Sequence, residues 1–103
     1  MKSQLKDDFH DAMVQIYHKA KLEADYNATR FIQMVSERGG IDAAKILINA
    51  VKPSDGYTEL WKRDRLDITV EALVQNPKWK SLFSLAEIER AKQRLENYGY
   101  KSD

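Results

Sequence analysis

The chain has 103 residues, 43% of them hydrophobic and 32% charged, with 17 basic against 16 acidic side chains and a net charge of +1. That length accommodates one domain, taken as 1–103, and the composition excludes both a disordered chain and a membrane protein, since no apolar run nears the roughly 20 residues a bilayer span needs. Acids interrupt the opening MKSQLKDDFHDAM where an export signal would be apolar, and the absence of cysteine removes disulfides and thiolate chemistry, so a cytoplasmic protein is expected.

In chain order, Leu5, Phe9, Ala12, Met13, Ile16, Tyr17 and Ala20 recur at helical spacing and predict a long amphipathic helix over 3–24, capped by Ser3. Asp25 and Asn27 favour a break, because short polar side chains compete with the helical backbone. A second helix over 28–38 presents Phe31, Ile32 and Val35 and stops at Gly39-Gly40, a normal C-terminal signal. The third, over 41–50, is apolar on several faces (Ile41, Ala44, Ile46, Leu47, Ile48) and belongs inside.

Pro53-Ser54-Asp55-Gly56 punctuates the chain, and Ser54 or Asp55 can cap a short helix that buries Tyr57, Leu60 and Trp61. Asp67 is the expected cap of a helix over 68–75, which Asn76-Pro77 ends because the residue before proline avoids helical backbone. NPKWKSLF, 76–83, reads as an irregular connection. Ser84-Leu85-Ala86-Glu87 is a capping box, with Phe83 and Ile88 at the staple positions, and opens a last helix ending near Tyr98. The fold class is therefore all-α: a compact bundle of five or six helices with a long N-terminal helix and a capped C-terminal one.

Few patterns carry chemistry. Asp7, His10 and Asp11 share a helical face, but a metal site wants a further ligand and an ordered second shell, and a solvated face is the simpler reading. Neither a nucleophile elbow nor a glycine-rich phosphate loop is present, so no catalytic residue, metal or cofactor is assigned and a non-enzyme is expected. A helix-turn-helix reading of 30–48 suffers from its second helix, which offers only Asp42, Lys45 and Asn49 to base edges. Between 78 and 101, Lys78, Lys80, Arg90, Lys92, Arg94 and Lys101 face Glu87, Glu89 and Glu96. With Arg30 and Lys45, the basic residues of that segment up to Arg94 would carry a weak nucleic-acid interaction.

Four segments in this order, YNATRF (26–31), KPSDGYTELW (52–61), RLDITVEALV (65–74) and LFSLAEIERAKQRLENYGY (82–100), resemble a small, uncharacterised bacterial all-helical domain family. The resemblance spans nearly the whole chain. It implies a bacterial or mobile-element origin and a domain that stands alone or is appended to larger proteins, and it brings no activity, cofactor or catalytic residue. Asp25 and Asp64 depart from it, standing where similar sequences carry glycine; aspartate tolerates left-handed backbone, so both turns are expected to survive.

Function is thus expected on the outside, as a protein-interaction or regulatory module, monomeric or homodimeric and not membrane-bound. Trp79 with Lys78 and Lys80 is the leading partner anchor, because basic-rimmed aromatics are enriched at interfaces; the competing reading places Trp79 beside Phe83 in the core. Tyr98 and Tyr100 with Arg90 and Arg94 form a second candidate surface. The segment 52–73 reads as a clasp between the two halves, with Arg65 seeking Asp55 or Glu71 and with Lys62 and Arg63 turned to water.

Overall fold

A computed structural model describes residues 4–100. Six α-helices and two 3-10 segments make up the described residues, with no strand among them: α1 (Gln4–Glu23), α2 (Thr29–Arg38), α3 (Gly40–Asn49), α4 (Asp55–Lys62), a 3-10 turn (Leu66–Ile68), α5 (Val70–Leu73), a 3-10 segment (Pro77–Leu82) and α6 (Leu85–Asn97). The Cα radius of gyration is 12.7 Å, against about 13 Å for a folded 100-residue domain. No described helix is long and apolar enough to cross a membrane.

The α1 stripe buries Phe9, Met13, Ile16 and Ala20; its predicted cap Ser3 lies outside the described residues. The hub is α3, which touches α1, α2, α5 and α6 and sinks Ala43, Ala44 and Ile48 to zero exposure. Gly39, at φ +86°, is shared between the end of α2 and the start of α3. Gly40 is not part of the break but the first residue of α3. A Cβ there would stand 2.7 Å from the His10 Cα, so α1 and α3 cross backbone against backbone. At that crossing the Gly40 N–H donates to His10 Nδ1 at 3.0 Å, and an imidazole from another helix supplies the cap that α3 lacks locally.

Local signals are met where they depend on neighbours in the chain. Ser84 Oγ accepts from the Glu87 N–H at 3.1 Å and Glu87 Oε1 accepts from the Ser84 N–H at 3.0 Å, both halves of the capping box. Ser54 Oγ accepts from the Tyr57 N–H to start α4. Asp25 and Asp64 adopt φ +54° and +59°, the left-handed backbone that glycine takes most readily.

Asp67 does not cap the next helix. Its carboxylate is held by Arg65, and the cap falls two residues later on Thr69, whose Oγ1 accepts from the Ala72 N–H. The 3-10 turn at Leu66–Ile68 uses up the residues between.

Segment 52–73 does bridge both ends of the chain, through side chains other than those expected. Arg65 binds Glu23 at 2.7 Å, not Asp55 or Glu71. Arg63 is exposed as expected but not free: its Nε donates to the Ala24 carbonyl at 2.8 Å and its guanidinium lies over the Tyr26 ring. Lys62 does reach outward, near Glu59. Toward α6, the Tyr57 hydroxyl donates to the Arg94 carbonyl at 3.1 Å.

Candidate functional site

The residues singled out as surface anchors divide sharply. Trp79 is 4% exposed, so the partner-anchor reading of its ring is corrected. The cause is local: Asn76 Oδ1 accepts from the Lys78 N–H, Pro77 starts a 3-10 coil, and the coil turns the ring inward while Lys78 and Lys80 stay exposed. There Trp79 packs edge-on against Phe9 with centroids 5.2 Å apart, and Phe9 meets Phe83 at the same distance. Trp79 Nε1 has no hydrogen-bond partner among the described residues; the ring contributes bulk, at the expense of one unmet donor.

Arg94 is likewise interior. With a side chain 10% exposed, it donates to Glu71 Oε2 at 3.0 Å and to the Leu47 and Ala50 carbonyls at 3.2 and 2.6 Å. One guanidinium thereby caps the end of α3 and neutralises a glutamate that is 3% exposed. Burial pushes the Glu71 pKa up against the opposing pull of its own backbone N–H and of Arg94.

The basic residues proposed for nucleic acid do not form one stripe. Lys45 pairs with Glu87 at 3.0 Å and lies over the Phe83 ring. Arg90 hydrogen-bonds Asn49, Lys78 covers the Trp79 ring, and Arg30 lines the cleft, 3.7 Å from Asp55. Lys80 and Lys92 are exposed. Glu87 also accepts from Asn49, so two of the three polar residues that α3 would turn toward DNA, Lys45 and Asn49, are engaged by α6. Burial alone would raise the Glu87 pKa, but the Ser84 N–H, the Asn49 amide and Lys45 together hold it down at about 2.

Asp7 and Asp11 are exposed, and His10 uses Nδ1 on Gly40. Among the described residues no three histidine or carboxylate side chains are placed to hold a metal ion.

Two features remain that can meet another molecule. The first is aromatic. Tyr57, Leu66 and Leu95 form a small buried cluster beside the main core, with Tyr98 and Tyr100 half-buried against it. Trp61, expected inside, is 45% exposed. It shares a helical face with Tyr57 and Leu60, which are 2% and 5% exposed, yet α4 lies at the margin, and the aromatic ring that meets Trp61 among the described residues is Tyr98, edge-on at 5.4 Å. The second is a cleft of about 450 Å³ between α1, α2, α3, α4 and α5. Its floor includes Ile16, Ala20, Met34, Leu60 and Val70, and Glu71 lies in its inner wall. Tyr26, Arg30 and Asp55 stand among its polar residues.

Sequence reasoning missed the exposure of Trp61 and the burial of Glu71. For Trp61 the periodicity names a face and not what covers it. For Glu71 a signal existed, a lone carboxylate inside the apolar run Val70 to Val74, but its partner is 23 residues away.

No protein-family model, curated protein or solved structure matches this chain.

Proposed function

We propose that this protein is a non-catalytic interaction or regulatory module of the bacterial cytoplasm, which docks an apolar helix of a larger protein on the Trp61–Tyr98 edge. The observation that carries the reading is the 45% exposure of Trp61 on a rigid base. Its ring rests on Tyr98, Tyr98 rests on Tyr57, and Tyr57 is fastened to the α6 backbone. A large aromatic held in place before contact loses little side-chain freedom on binding, which is why tryptophan and tyrosine dominate interface energetics. Lys62, Arg63 and Glu59 flank it, both cations paired with the one carboxylate, giving a polar rim.

The test replaces Trp61 with a photo-crosslinking phenylalanine analogue and irradiates a native lysate in high salt, with the same analogue at exposed Leu22 (83% exposed) as control. A discrete protein adduct at position 61, absent at 22 and competed by the unmodified chain, is expected. Adducts only to nucleic acid, only to a second copy of this chain, or equal at both positions would each overturn the reading.

A further inference from the structure

We propose that the cleft between α1, α2, α3, α4 and α5 is a second, independent site, binding an uncharged and largely apolar small molecule whose single hydrogen-bond donor, an alcohol or phenol, is presented to Glu71. Size and lining suit such a ligand: about 450 Å³ over a floor of aliphatic side chains falls within the roughly 300–1,000 Å³ of small-molecule sites, which pair apolar walls with few polar groups.

The ligand's chemistry follows from what the inner wall has already spent. The Tyr57 hydroxyl donates to the Arg94 carbonyl. Thr69 Oγ1 donates to the Leu66 carbonyl and accepts from the Ala72 N–H, and Ser54 Oγ caps α4. Glu71 keeps acceptor capacity: Oε2 takes Arg94 and its own backbone N–H also reaches the carboxylate, yet each carboxylate oxygen offers two lone pairs.

Charge narrows the choice further. Arg94 already balances Glu71 at 3.0 Å, so a cationic ligand would add a second positive charge to a buried pair, and an anion would face the carboxylate. Arg30 and Asp55 at the opening are 92% and 87% exposed and cancel each other, selecting neither sign. A neutral donor is what the wall can take without leaving a buried charge uncompensated.

The experiment titrates the full chain with 2-naphthol, 2-methoxynaphthalene and 2-naphthoate at neutral pH, reading backbone amide shifts by nuclear magnetic resonance. Saturable shifts at Ala20, Met34, Leu60, Val70 and Glu71 with 2-naphthol are expected. Loss of the donor in the methyl ether, or its replacement by the anion, should weaken binding about tenfold, the worth of one hydrogen bond to a charged group. Met34→Trp, which fills the floor, should abolish the shifts; if that variant does not fold, the three-ligand comparison on the native chain still decides. Shifts scattered over the surface, no shift up to the solubility limit, or equal affinity for the ether or the anion would overturn the proposal.

Discussion

The two tryptophans obey the same chemistry with opposite results. Trp79 lies edge-on against Phe9 and Trp61 lies edge-on against Tyr98, with centroid distances of 5.2 and 5.4 Å, yet their exposures are 4% and 45%. The difference is the depth of chain above each ring. Trp79 and its partner Phe9 lie in the main core with α1 and α3 around them. Trp61 stands on a marginal helix above a cluster of three buried residues. An aromatic pair fixes geometry; the number of packed layers decides whether that geometry becomes interior or contact surface.

The largest expected effect tests this directly. Trp79→Ala should cost about 3–5 kcal/mol of stability by opening a core cavity, whereas Trp61→Ala should cost only about 1 kcal/mol, the scale of one aromatic pair. Urea unfolding of both variants measures the contrast, and similar losses would dissolve the distinction between the two rings.

Acid should sharpen it next, through two glutamates on α5 and α6. Glu87 is held at about 2 in the fold against an ordinary 4.5, so its contribution is present above about pH 4.5 and is lost as pH falls toward 2. Glu71 is raised in the fold, so its contribution has the opposite sign, fullest below its ordinary value and lost as pH rises through the folded one. A series of melting temperatures from pH 6 to pH 2 should therefore fall steeply below 4.5 in the native chain and less steeply in Glu87→Gln.

The smallest expected effect concerns the two left-handed turns. Asp25→Gly and Asp64→Gly relieve left-handed backbone at φ +54° and +59° and should stabilise by at most about 1 kcal/mol each, visible as small shifts in the same urea midpoints.

What could be read from the chain follows the same division between local and distant causes. The capping box at Ser84, the cap at Ser54 and the α1 stripe lie within a few residues of their partners, and each was legible. Thr69 was passed over for Asp67 because both are capping residues, and only the 3-10 turn between them, stabilised by its seat against α1, shifts the start of α5. The candidate sites were less legible. Arg94 looks like surface until Leu47, Ala50 and Glu71 converge on it, contacts that no periodicity encodes. The cleft is lined by residues of five helices, Leu47 of α3 included, and exists only in their assembly.

The backbone crossing at Gly40 carries a consequence for the imidazole beside it. Because His10 Nδ1 accepts from the Gly40 N–H, its neutral ring carries its proton on Nε2, so one tautomer is selected by a helix thirty residues further along the chain. The ring nitrogens of His10 are thereby a built-in reporter of assembly: their isotope-resolved resonances should show a single tautomer when α1 and α3 are seated, and the mixture of a free imidazole when the helices part.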